Sequence, residues 1–234
     1  MKRLVAVLLI GLLLFSLTAS AEKTRARWAR AFKHGSRDEA RVSITIDDWI
    51  HPEMIPQFLE VAEKYGVKLT LYPSGYLLKP ADRALWQSVL DAGHEIGCHF
   101  FQHKRLTERS QSMVARDLQK YEKALDETLG YHYEFLTVRP PYGAGMAQGG
   151  GGTVGRWIHN AGFDNIVLWD MDNTKDLKKA LRIIQNGSII LIHANKHDLW
   201  FFGELMEALK DRNYEYVTIS ELLHLDSRYY YKDE

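Results

Sequence analysis

The sequence predicts an α/β fold, a distorted or incomplete (β/α) barrel of about seven parallel strands. Two observations carry this. Short β-branched runs alternate with amphipathic helical segments from residue 41 to residue 225. Asp47, Asp48, His99, Arg139, Asp170, Asp172 and His193 each fall just after a predicted strand, where such barrels gather their reactive groups. The elements follow in order. Residues 41–46 form the first strand. A helix over 52–65 puts Ile55, Phe58, Leu59 and Ala62 on one face and stops at Gly66. Residues 67–72 form the second strand. Asp82 caps a helix through 92, stopped by Gly93. Residues 95–99 are the third strand. A longer helix over 108–129 turns Val114, Leu118, Tyr121 and Leu125 inward and ends at Gly130. Residues 135–139 are the fourth strand. Four glycines at 149–152 are too permissive for regular structure and read as a flap or linker. They open onto a helix over 153–161, closed by Gly162. A strand over 165–169, a helix over 175–185 and a strand over 188–192 follow. A helix over 203–211, a strand over 216–219 and a short helix over 220–225 complete the pattern.

The chain has 234 residues and divides into four parts. Lys2 and Arg3 precede an apolar run at 4–17, and Ala19, Ser20 and Ala21 follow. That order is a secretory signal peptide, 1–21, which marks the protein as exported, periplasmic or secreted. The apolar run is short of the roughly 20 residues a bilayer span needs, so no stable membrane anchor is expected after cleavage. Residues 22–40 are an N-terminal segment, 41–225 the domain and 226–234 a tail. Removing Lys2 and Arg3 takes 30 basic residues to 28 against 30 acidic ones, a net charge of −2. That balance gives no electrostatic footprint for nucleic acid. Cys98 is the only cysteine, so no internal disulfide forms, and its apolar strand makes it a buried, inert thiol. A domain of this length buries an adequate core without staples, and a monomer is expected.

Asp47 and Asp48 are adjacent carboxylates at the end of a β-branched run. Two neighbouring carboxylates repel unless a positive charge lies beside them, and a metal ion is the common answer. His99 and His103 add two imidazoles four residues apart. One carboxylate and two histidines make a facial ligand set with open positions, which leaves the other carboxylate as a general base. Either motif alone is weak, since solvated Asp-Asp pairs and paired surface histidines are common. Their joint placement at strand ends carries the reading.

With these residues in hand, the chain resembles the polysaccharide deacetylases of carbohydrate esterase family four, over about residues 41–225. Thr45-Ile46-Asp47-Asp48 matches the family's T-[FI]-D-D. His99-Phe100-Phe101-Gln102-His103 matches its H-x-x-x-H, after a family-like Gly93-His94-Glu95-Ile96-Gly97. Arg139-Pro140-Pro141-Tyr142-Gly143 matches R-x-P-Y-G, Trp169-Asp170-Met171-Asp172 resembles W-x-x-D, and Leu191-Ile192-His193 matches L-x-H. The resemblance implies hydrolysis of an N-acetyl group from an amino sugar in a glycan. It implies one divalent ion on Asp48, His99 and His103, zinc foremost, with cobalt, nickel or manganese as alternatives. Asp47 would be the base, held ionised by Arg139. The backbone N–H of Tyr142 would help stabilise the oxyanion. His193 would be the acid, with Asp172 the better candidate than Asp170 to orient it. Trp169 and Leu191 would wall the acetyl pocket.

Two departures stand out. Trp49 follows the aspartates where the family usually has glycine; an indole there would stack on a sugar face at the rim or narrow the cleft. The segment after Asp172 is a poor match, which keeps Asp170 in play. Other residues have blander readings. His94 supports the turn into the third strand, and His197 and Asp198 are rim contacts or solvated. The leading substrate is peptidoglycan or another N-acetylglucosamine polymer. Runners-up are deacetylation of an exopolysaccharide or oligosaccharide, and non-catalytic glycan binding on the same fold. A glycoside hydrolase is disfavoured: adjacent strand residues point to opposite sides, and that reaction gives the histidines no role.

Overall fold

The structure is a computed structural model describing residues 24–25, 28–146, 152–229 and 231–232. The expected signal peptide and the glycines at 149–151 lie outside the described residues. Nine strands occur among them: β1 (Thr24–Arg25), β2 (Arg30–Phe32), β3 (Arg41–Asp48), β4 (Leu69–Pro73), β5 (Glu95–Ile96), β6 (Asn165–Val167), β7 (Ile189–His193), β8 (Glu215–Tyr216) and β9 (Tyr231–Lys232). The helices are α1 (Ile55–Tyr65), α2 (Arg83–Asp91), α3 (Gln111–Leu129), α4 (Thr153–Asn160), α5 (Leu177–Ile183), α6 (Lys196–Leu209) and α7 (Ile219–Leu222).

β3 is the axis of the fold. Residues 42–47 are buried without a break, which is why Val42, Ile44 and Ile46 share the strand with no charged residue between Arg41 and Asp47. β3 pairs in parallel with β4 on one side and β7 on the other. β4 pairs in parallel with β5, and β8 pairs with the start of β3. Beyond β5 the ladder thins to single bridges, Cys98 to Val138 and Val138 to Ile166, and Met171 bridges to Ile190 on β7. The strands thus run round a distorted barrel joined in places by one bridge.

The expected fourth strand at 135–139 reduces to the bridge at Val138. Pro140 and Pro141 follow, with no N–H to extend a ladder. The N-terminal segment, expected to precede the domain, instead supplies β2, which pairs in parallel with β6. The last long helix begins at Lys196 rather than 203. Asn195 caps it by accepting the Asp198 N–H at 2.9 Å. Gly203 is simply interior to the helix, with open space where a Cβ would sit.

α1 buries Ile55, Phe58 and Ala62, and α3 buries Val114, Leu118, Tyr121 and Leu125, as the periodicity predicts. Trp49 does not reach the rim. It is 0% exposed, packed edge-on against Phe58 and Trp86 with centroids 5.4 and 5.9 Å away. Its Nε1 donates to the Ile46 carbonyl at 2.9 Å, so the indole is a satisfied core group and offers no face to a sugar.

Candidate active site

Successive residues of a strand point to opposite faces. Asp48 escapes this because it and Trp49 sit in the left-handed region, at φ 75° and 59°. The reversal turns both carboxylates to the C-terminal mouth and sends the indole into the core. Such conformations are costly for non-glycine residues and persist where the surroundings fix them. Here the Ser74 N–H donates to the Asp48 carbonyl at 3.2 Å.

Arg139 organises Asp47. Its guanidinium is fully buried and donates from Nη1 to Asp47 Oδ1 and to Thr45 Oγ1, each at 2.7 Å. Nε and Nη2 donate to the carbonyls of Val167 and Leu168 at 3.3 and 3.2 Å. The Tyr72 ring lies 4.2 Å from the guanidinium carbon. All three nitrogens of the cation donate, so it is held in one orientation.

Asp48 faces the histidines. Its Oδ1 lies 3.5 Å from His99 Nε2 and 3.2 Å from His103 Nε2. The ligand atoms of the three residues lie within 4.8 Å of one another. His99 is buried and pairs through Nδ1 with the Arg139 carbonyl at 2.8 Å, which fixes the Nδ1–H tautomer and leaves the Nε2 lone pair facing Asp48. Burial lowers its pKa despite the neighbouring carboxylates. Asp48 Oδ1 is itself buried and makes no hydrogen bond, an arrangement costly for a carboxylate oxygen unless a cation completes it. The donor set therefore fits a divalent ion: one anionic oxygen and two imidazole nitrogens, converging and otherwise uncommitted.

His193 ends β7, in register with Asp47 on the neighbouring strand. Its carboxylate partner is Asp198, not Asp172. Asp198 Oδ2 lies 3.4 Å from His193 Nδ1 and accepts the His193 N–H at 2.7 Å. Asp198 raises the pKa of His193, against the effect of burial. Burial alone would raise the pKa of Asp198, but its hydrogen bonds from His193 bring it below the ordinary value. Asp172 instead accepts from Trp169 Nε1 at 2.9 Å. Asp170 is held by Arg37, Ser188 and the Ile189 N–H at 2.8, 3.0 and 2.9 Å. Both sit on the segment after β6 and are turned to other partners. The signal available in the sequence was the helix start: an Asn-x-x-Asp cap just after the histidine brings the aspartate back onto it.

Tyr142 is half exposed, at φ 61°, with its ring 4.6 Å from the His103 ring. Leu191 is buried on β7, and its N–H donates to the Met171 carbonyl at 2.8 Å. Trp169 stands over Gly143, where a Cβ would meet the indole at 3.3 Å. A cavity of about 290 Å³ is lined by Lys33, Tyr142, Gly143, Met146, Leu168 and Trp169. A larger one of about 510 Å³ is lined from Tyr65 and Gly66 to Tyr216 and shares no residue with this constellation. His94 Nδ1 accepts the Leu69 N–H at 3.0 Å; burial and then Lys68 lower its pKa to about 4, as suits a neutral structural acceptor.

A family profile described as polysaccharide deacetylase matches residues 34–148, which include Asp47, Asp48, His99, His103 and Arg139. Over those residues the chain is similar to the polysaccharide deacetylase family. Among its relatives is a peptidoglycan-N-acetylglucosamine deacetylase of Listeria monocytogenes, 28% identical over 213 residues. That match covers 85% of this chain and 43% of the relative, so the chain spans less than half the length of that protein. Two solved structures share the fold. One is the Bc1960 peptidoglycan N-acetylglucosamine deacetylase, with TM-score 0.72 and 23% identity, covering 86% of this chain and 96% of that one. The other is a family pseudoenzyme from Bacillus anthracis, with TM-score 0.71 and 22% identity, covering 82% and 68%. One polysaccharide deacetylase fold thus carries a deacetylase and a pseudoenzyme, so the side chains at the mouth must decide the reading.

Proposed function

We propose that this protein is an exported, metal-dependent hydrolase that removes N-acetyl groups from an amino-sugar glycan, with peptidoglycan the substrate. The observation that carries the reading is the pairing of two unlike carboxylates. Asp47 is bound to Arg139, while Asp48 faces His99 and His103 with an unsatisfied oxygen. Zinc is the ion best suited to one carboxylate and two imidazoles. When bound, it would lower the pKa of a water and polarise the acetamide carbonyl. Asp47 takes the proton from the attacking water. Arg139 donates to its carboxylate and fixes its direction, a role suited to a rigid guanidinium fork. His193 gives a proton to the leaving amine nitrogen, and the hydrogen bond to Asp198 raises the pKa of the ring, favouring its protonated form. Trp169 and Leu191 wall the site for the acetyl methyl, and the Tyr142 N–H serves the oxyanion.

Peptidoglycan is favoured by the named activity of the Listeria relative and by the basic start and apolar run at 1–17, which suit export to where that polymer lies. Asp47 with Arg139 and His193 with Asp198 have no use in a simple binder, which favours catalysis over glycan binding alone. The test is acetate release from purified peptidoglycan, chitin oligomers and an acetylated exopolysaccharide. Release from peptidoglycan above the others supports the reading. Binding of every polymer with no release from any would assign the chain to the non-catalytic class.

A further inference from the structure

We propose that Asp117 is the positioning residue for the His99 and His103 pair, acting on the three residues between them; this rests on the metal reading above. The two imidazoles are separated by Phe100, Phe101 and Gln102, and their convergence depends on the path of that short loop. The path is an unfavourable one. Phe100 sits at φ 64°, a left-handed conformation that a bulky side chain adopts only under constraint. The constraint comes from two sides. From α3, Asp117 reaches over the loop, and its Oδ2 accepts the Phe101 N–H at 2.6 Å and the Gln102 N–H at 3.1 Å. From the turn after β4, the N–H groups of Gly75 and Tyr76 donate to the carbonyls of Phe100 and Phe101 at 2.8 and 2.9 Å. Gly75 permits that approach, since a Cβ there would lie 2.9 Å from the Phe101 ring and 3.0 Å from its Cα.

The loop is thus held by amides on one side and a single carboxylate on the other. Backbone N–H groups are interchangeable from one residue type to the next, but the carboxylate is one side chain of this chain. Asp117 is buried, and a charge-assisted bond to two consecutive N–H groups is strong and directional. It touches no ligand atom. Its effect on the metal site runs through the backbone between the ligands, as a partner outside the ligand set tunes affinity by fixing geometry.

The test is zinc affinity of the apo-protein, measured by competition with a chromophoric chelator, beside the thermal midpoint of the same apo-protein. Asp117→Ala should weaken zinc binding about 10- to 100-fold. Asp117→Asn keeps the volume and one acceptor oxygen and should weaken it less; it carries the test if the alanine variant does not fold. Glu95→Gln is the control for a general loss of structure. Glu95 is also buried and accepts from Thr70 and Ser220, away from the ligands. It should lower the thermal midpoint and leave zinc affinity within about twofold of the parent. Affinity unchanged in both Asp117 variants, or weakened as much by Glu95→Gln, would overturn the proposal while leaving the metal reading intact. A parent protein that binds no zinc would overturn the metal reading, and this proposal with it.

Discussion

Asp47 and Asp48 are the same side chain one residue apart, yet their surroundings separate their chemistry. Asp47 lies against a buried cation, and Asp48 against two imidazoles. Asp47→Asn should therefore keep its metal and lose activity about 10²–10⁴-fold, the usual range for a lost general base. His99→Ala should lose the metal itself. Metal content beside acetate release separates the two, and equal metal loss would contradict the division. The His193 pair yields a pH prediction. Asp198 raises the folded pKa of His193, and the acid must be protonated to act, so activity falls as pH rises through that pKa. Asp198→Asn should shift the alkaline limb of the rate profile to lower pH. Asp172→Asn should leave the limb in place, because its carboxylate is engaged with Trp169. The motif pattern pointed to the segment after β6 for this partner, yet the carboxylate arrives from the first turn of α6. Trp49 misled for a related reason. Its position beside the aspartates suggested the rim, and only the positive φ at Asp48 and Trp49 turns it inward.

Among the elements, the helices were the more legible. Their apolar faces and glycine stops set α1 and α3 to within a few residues, because a 3.6-residue period over several turns is a long signal. The strands past β4 were less so. Glu95–Ile96 ends early, and Val138 makes only a bridge, since tertiary pairing rather than local pattern fixes where a short strand stops. Gly97, just beyond β5, has a role the pattern could not reveal. A Cβ there would lie 2.3 Å from a Tyr72 ring carbon, and that ring supports the Arg139 guanidinium. Tyr72 is also fixed by a 2.8 Å hydrogen bond between its hydroxyl and Thr137, so it has no easy retreat. Gly97→Ala should cost about 1–3 kcal/mol by overpacking. It should also lower turnover by moving Arg139 off Asp47. A variant with unchanged melting and activity would show that Tyr72 moves freely and that the column from Gly97 to Asp47 is not rigid.

At the scale of the molecule, the alternation of strands and helices made a barrel-like fold readable, but not its boundary. The repeat begins plainly at residue 41, so the preceding segment looked like a lead-in. The structure ties it to the barrel. β2 adds three register pairs to β6, and flanking hydrogen bonds run from Arg30 N–H to the Asp164 carbonyl, from Leu168 N–H to the Phe32 carbonyl and from Gly35 N–H to the Gly187 carbonyl, each at 2.7 Å. Arg37 pairs with Asp170, which also accepts the Ile189 N–H at the start of β7. Nothing in residues 28–40 alternates strongly enough to announce a strand, because β2 is three residues long and only partly buried. A chain beginning at residue 41 should therefore be less stable than one retaining residues 28–40. Losing three or more such hydrogen bonds is worth about 3 kcal/mol. For a domain of this size that is about 6–12 °C in melting temperature. The damage should also reach the site. β6 leads directly into Leu168 and Trp169, and the Val167 and Leu168 carbonyls hold Arg139. Lower acetate release at a temperature where both chains are folded would follow from that path. Equal melting and equal turnover in the two chains would mean that β2 lies on the barrel without contributing to it.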